Sequence, residues 1–318
     1  MPALYLTEDE VCRLVDMSVA LDAVRGAFRA LGDGTAENVP RRRVAAPGLL
    51  LHNMHAAAGY LGVAGAKVYS TTKAAAVFHV LLYDAASGRM LAMIEADHLG
   101  RIRTGAASGV ATELMARPDS TSVGLFGAGR QATTQLEAVC AVRRITRVDV
   151  FSRDADRCAA FADEMSRRLD VEVAPALRPD MAVMEKDIVV TATSAKTPLF
   201  DGNLLTDGVH LNVTGSNFLR KSEIDVETVR RADTIVCDSI EACRLEAGDF
   251  VAALEAGVMS WENVHELSAV VTGTATNRAT AADVTLFKSV GLAIEDVALG
   301  YEVYRRAKES GAGRELPG

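Results

Sequence analysis

The chain has 318 residues, 49% of them hydrophobic and 24% charged, with 34 basic and 42 acidic residues giving a formal net charge of −8. These are globular proportions, which exclude disorder and fibrous repeats, and the length predicts two domains or one large one. The acidic balance offers no basic face for nucleic acid or an anionic membrane, although Arg41-Arg42-Arg43 is a local basic spot.

Five cysteines (12, 140, 158, 237, 243) include no C-x-x-C spacing, so they read as reduced packing residues rather than a disulfide framework or a zinc site. The start, MPALYLTEDEV, has neither the basic nor the apolar region of a signal peptide, which predicts a cytoplasmic protein.

Leu21, Val24, Phe28 and Leu31 fall at helical spacing, and Gly32-Asp33-Gly34 stops that run. Residues 44–66 carry no Asp, Glu, Lys or Arg, but Pro47, Gly48, Gly59, Gly62 and Gly65 interrupt any spanning helix, so turns and short buried strands are predicted. Residues 77–83 and 90–94 flank a polar turn and predict a hairpin. From about residue 119 apolar runs at 147–151, 187–193, 209–215 and 233–239 alternate with helical patterns at 131–142 and 154–169. That rhythm predicts an α/β fold, a parallel sheet with helices on both faces. Val290, Ile294, Val297, Tyr301 and Tyr304 form a closing helix that Gly311 stops. Its wide apolar stripe must dock on the first domain or on a partner subunit.

The sharpest local signal is Gly127-Ala128-Gly129-Arg130-Gln131-Ala132, which follows an apolar run and opens a helix. This is the dinucleotide fingerprint G-x-G-x-x-A: a tight turn, a close backbone approach to pyrophosphate, and a small residue for helix packing. The next strand ends in Ser152-Arg153, where an NAD site usually has Asp or Glu. A hydroxyl and a guanidinium suit a 2′-phosphate, so NADPH is predicted over NADH. Arg103 opens a run of small residues with helical potential and is placed to hold a carboxylate in two-pronged fashion. Lys67 closes the uncharged stretch, and either snorkels to solvent or faces an anionic ligand. His52 and His55 lack a third ligand, so no metal is predicted.

GAKVYST around Lys67, RTGAASGVAT from Arg103, the GAGRQA turn, VTGSN at 213–217 and TLFKSVGLAIED at 285–296 occur in an order and spacing that resembles the ornithine cyclodeaminase/mu-crystallin family. The resemblance covers nearly the whole chain. It implies a homodimer with a Rossmann-type dinucleotide-binding domain at 119–289. It also implies a discontinuous α+β substrate and dimerisation domain from 1–118 and 290–318. Lys67, Arg103 and an arginine after Pro40 would bind the substrate carboxylate. Family spacing favours Arg42 and leaves Arg41 and Arg43 open. Gly127, Gly129, Arg130, Gln131, Ser152, Arg153, Thr193, Asn212 and Lys221 would contact the cofactor.

The family's cyclodeaminases carry an aspartate as general acid/base where this chain has Asn217. An amide takes no proton at neutral pH, which favours plain reduction of a ready-made α-imino acid over ornithine cyclodeamination. Lys67, Arg103 and Asn217 are thus the catalytic candidates. A non-enzymatic, crystallin-like binding protein is the third implied role, and retention of the phosphate turn and both cations argues against it.

Overall fold

The computed structural model describes residues 2–316. In chain order its strands are β1 Leu4–Leu6, β2 Ala36–Ala46, β3 Leu49–Ala58, β4 Val63–Thr71, β5 Ala76–Asp84, β6 Met90–Glu95, β7 Ser122–Phe126, β8 Arg147–Phe151, β9 Glu172–Pro175, β10 Ile188–Thr191, β11 His210–Val213, β12 Thr234–Cys237, β13 Val264–Glu266, β14 Thr285–Lys288 and β15 Arg314–Glu315. Its helices are α1 Glu8–Leu14, α2 Met17–Gly32, α3 Asp97–Met115, α4 Arg130–Val142, α5 Ala155–Leu169, α6 Val226–Arg231, α7 Ile240–Glu246, α8 Val251–Glu255, α9 Leu267–Val271 and α10 Ala293–Ser310. The chain divides into one unit running through Thr104 and from Gly291 onward, and a second unit, Gly105–Val290.

The first unit is built on a sheet in the order β15-β1-β6-β5-β4-β3-β2, largely antiparallel. Residues 44–66 form long strands, not short ones. In β4, burial alternates residue by residue, because one face of the sheet is packed and the other is open. Helix α10 covers the packed face. A Cβ on Gly65 would lie 2.8 Å from Val297, and one on Gly300 would lie 3.2 Å from Val80. The stripe of the closing helix therefore docks on the sheet of its own unit. Its ends follow from sequence: Glu295 reaches back to the amide of Leu292 (3.2 Å), and Gly311 stops it at φ +71°. Helix α2 is capped by Asp16, which accepts from the Val19 amide at 3.0 Å, and buries Leu21, Val24 and Phe28.

The second unit holds an all-parallel sheet in the order β13-β12-β14-β11-β10-β7-β8-β9. The winding reverses at β7, which pairs with β8 on one side and β10 on the other, so this is a Rossmann-type doubly wound sheet. Leu125, Leu136, Val139, Val150, Phe161 and Val190 are among the core residues between β7, β8, β10, α4 and α5. The unit boundary falls inside α3, after Thr104, rather than at residue 118. The small-residue half of that helix packs so closely that a Cβ on Gly105 would lie 2.3 Å from the Thr134 carbonyl oxygen.

Candidate functional site

In the second unit the fingerprint turn leaves the carboxyl end of β7, beside the point where the strand order reverses. Gly127 has φ +112°, and a Cβ there would lie 2.5 Å from the Ala192 carbonyl oxygen. Only glycine fits that place. Gly129 is the N-cap of α4, and Ala132 is fully buried against the core. Arg130 and Gln131 are exposed on the first turn of α4, so the free amides of this helix open beside the turn. These features fit a dinucleotide pyrophosphate.

At the end of β8, Ser152 is half-buried and Arg153 exposed. Asp154 is spent as the cap of α5, accepting from the Arg157 amide at 3.0 Å. Asp149 is buried within the strand and paired with Lys186 at 2.9 Å. A second arginine joins this end: Arg157 Nε donates to the Ala128 carbonyl at 2.9 Å, inside the glycine turn. The sequence reading missed it. Its signal was its place on the first turn of α5, three residues past the cap.

Thr193 lies beyond β10 and is held by the buried carboxylate of Glu223, which accepts from its amide (2.7 Å) and its hydroxyl (2.6 Å). The other Glu223 oxygen accepts from Thr191 Oγ1 (2.8 Å) and the Gly215 amide (2.7 Å). Glu223 thus ties together the ends of β10 and β11. Lys288, fully buried, donates to the Ser216 carbonyl (2.8 Å) and pairs with Asp249 (2.6 Å). It thereby fixes the peptide that precedes the half-buried Asn217. Lys221 Nζ sits 5.4 Å above the Phe218 ring. Asn212 is fully buried within β11, and its Nδ2 donates to Thr112 Oγ1 of α3 at 2.9 Å.

In the first unit three cations gather. Lys67 points from β4 to the packed side and is 3% exposed; Arg103 of α3 is 5% and Arg41 of β2 is 7% exposed. Lys67 Nζ lies 2.7 Å from Asp296 Oδ1, which also accepts from Arg103 Nε at 3.1 Å. Arg103 Nη1 donates to Glu295 Oε2 at 2.8 Å. Arg41 donates to Met54 Sδ (3.3 Å) and to the Gly291 carbonyl (3.3 Å). Glycines make the room: a Cβ on Gly100 would lie 2.7 Å from Lys67 Nζ, and one on Gly291 would lie 2.7 Å from Arg103 Nη1.

Arg42, the residue favoured by spacing, is exposed on the other face. The ladder between β2 and β3 slips between Val39 and Arg42, so Pro40 and Arg41 are buried in succession and the alternation shifts by one. Arg43 is half-buried and donates to His52 Nδ1 at 3.3 Å.

Burial lowers the Lys67 pKa to about 8; Arg103 and Arg41 push the same way, and Asp296 opposes them. Arg103 is also desolvated, yet its two carboxylates hold its pKa above the ordinary value. Among these described residues, three cations stand against two carboxylates, Glu295 and Asp296. A buried excess of that kind calls for an anion. The missed partners, Glu295 and Asp296, were legible as an acidic pair at the start of an apolar helix.

His52 stacks on Tyr69 at 4.0 Å between ring centres, and burial lowers its pKa to about 4. His55 is exposed on the opposite face. Among the described residues no three His, Cys, Asp or Glu side chains gather as a metal-ligand set, and no helix is long and apolar enough to cross a membrane.

Residues 2–311 match the ornithine cyclodeaminase/mu-crystallin family. A Delta(1)-pyrroline-2-carboxylate reductase of Bacillus cereus is 36% identical over 238 residues, which cover 74% of this chain and 73% of that one. The Thermococcus litoralis Delta(1)-pyrroline-2-carboxylate reductase, solved with NADH and L-proline, matches with a TM-score of 0.93 and 33% identity over 98% of this chain and 100% of the other. An archaeal alanine dehydrogenase dimer with bound NAD matches with a TM-score of 0.94 and 30% identity, over 100% and 99% of the two chains. A buried cationic cluster, a fingerprint turn at the switch point and these matches agree: the chain belongs to the ornithine cyclodeaminase/mu-crystallin family.

Proposed function

We propose that this protein is an NAD(P)H-dependent reductase of α-imino acids, acting on a cyclic ketimine such as pyrroline-2-carboxylate or piperideine-2-carboxylate, or on the imine of pyruvate and ammonia. The observation that carries this reading is the buried excess of positive charge on Lys67, Arg103 and Arg41, which fits one carboxylate. The turn at Gly127, Gly129, Arg130 and Gln131 would hold the pyrophosphate. Ser152, Arg153 and Arg157 at the end of β8 favour NADPH over NADH, because guanidinium groups pair with a 2′-phosphate. Bound there, the reduced cofactor supplies a hydride. Lys67, Arg103 and Arg41 pin the acid group and so fix the distance and face of the imine carbon. The ammonium of Lys67 is the proton donor to the product nitrogen.

Asn217 sits where a cyclodeaminase needs a carboxylate, so ornithine cyclodeamination is the weaker reading. We further infer a cytoplasmic homodimer. Five free cysteines fit a reducing compartment. The open face of the first sheet exposes Val44, Leu49, Val77 and Tyr83, an apolar surface that suits a second copy.

NADPH and NADH oxidation measured with pyrroline-2-carboxylate, piperideine-2-carboxylate, and pyruvate plus ammonia tests the proposal. Turnover of at least one imine, faster with NADPH, supports it. Ammonia release from ornithine with catalytic NAD and no added reductant overturns it.

A further inference from the structure

We propose that Asp296 is the positioning residue of the substrate site, holding Lys67 and Arg103 on one oxygen and keeping Lys67 an ammonium between turnovers. This rests on the carboxylate-binding reading given above.

Asp296 lies in the first turn of α10 and is fully buried. One of its oxygens, Oδ1, accepts from both Lys67 Nζ and Arg103 Nε. The other, Oδ2, is buried without a hydrogen-bond partner. A group built only to tie α10 to the sheet would have no use for a buried carboxylate, since apolar residues of similar volume do this as well. What a carboxylate adds is charge at a fixed place.

That charge acts chiefly on Lys67. Among the described residues the ammonium faces Asp296 from α10, Arg103 from α3, Arg41 from β2, and the Phe78 ring of β5, whose centre is 5.6 Å away. Glu295, the neighbouring acid, pairs with Arg103. Burial and both arginines favour the neutral amine, and Asp296 is the carboxylate in contact that favours the ammonium. Reduction of a C=N bond adds a hydride to carbon and a proton to nitrogen. When Lys67 gives that proton it becomes a neutral amine, and solvent must return one proton per turnover. The Asp296 charge makes the return favourable near neutral pH.

Asp296→Asn tests this, because it keeps the shape and an acceptor oxygen while removing the charge. With pyrroline-2-carboxylate and NADPH, kcat/KM of the unaltered protein should fall on the alkaline side near the Lys67 pKa of about 8. In Asp296→Asn this limb should move at least about one pH unit to the acid side. An unmoved limb with a uniform loss across pH marks a purely structural residue and overturns the proposal, as does an unchanged profile.

Calorimetric binding of pyrrole-2-carboxylate gives a readout independent of turnover, and its alkaline loss should move the same way. If no imine is reduced but this shift occurs, the reaction assignment fails and the Asp296 assignment stands. Should the asparagine variant not fold by thermal melting, Asp296→Glu decides. Its limb should stay within about half a pH unit of the original while kcat/KM drops, and a shift of a full unit contradicts the role.

Discussion

Arg41 and Arg42 are neighbours in the chain and opposites in the sheet. Arg41 is buried with Lys67 and Arg103, whereas Arg42 is exposed. Charge-assisted hydrogen bonds to a carboxylate contribute roughly 1.5–3 kcal/mol each, so Arg41→Met should raise KM for the imino acid by about tenfold or more. Arg42→Met should leave it within about twofold. Steady-state kinetics with a single imine at fixed NADPH separates the two, and the reverse ranking would remove Arg41 from the site. The family resemblance pointed to an arginine after Pro40. Which of three consecutive arginines turns inward was not legible from the sequence, because a bulge shifts the alternation by one residue, and no local pattern marks its position.

The β10 and β11 ends depend on one buried carboxylate. Glu223 accepts from Thr191, Thr193 twice, and Gly215, so all its partners are donors. Glu223→Gln would point an amide N–H₂ at donors and leave them unpaired. The expected cost is about 3 kcal/mol or more, read as a drop in denaturant midpoint, together with weaker dinucleotide binding. An unchanged midpoint would show that those donors find other acceptors. Elements with a strong period and glycine or aspartate ends were readable: α2, α5, α10 and the β7–α4–β8 run all lie where spacing and caps put them. The short helices α6 to α9 were not, because one or two turns carry too few apolar positions to set a period. The insertion of β14 between β11 and β12 was not legible either, since strand order is decided by packing across the sheet rather than along the chain. The network of Glu223, Asp249 and Lys288 joins residues far apart in sequence, so no motif announces it.

Across the molecule, two histidines with lowered pKa values, His210 and His52, predict a loss of stability toward acid. His210 is fully buried on β11, with Nδ1 2.9 Å from Thr285 Oγ1, and burial lowers its pKa to about 3. The unfolded chain takes up that proton near the ordinary pKa of about 6.5, while the native state does not. The unfolded state therefore binds more protons between these values, and stability falls as pH drops, by about 1.4 kcal/mol per pH unit for this group. His52, with its pKa lowered to about 4, adds a loss of the same sign. Denaturant melts between about pH 7 and pH 4 should show this slope, and His210→Gln should flatten it. A slope unaltered by that substitution would place the acid sensitivity elsewhere.

The central claim is that this protein reduces an α-imino acid with a reduced nicotinamide, Lys67, Arg103 and Arg41 holding the substrate carboxylate. Mass spectrometry of the product formed from piperideine-2-carboxylate and NADPH carrying deuterium at both C4 positions tests it most directly. The account predicts one deuterium at the product α-carbon, and loss of product formation in Lys67→Met. Product free of deuterium with the protein intact would contradict it.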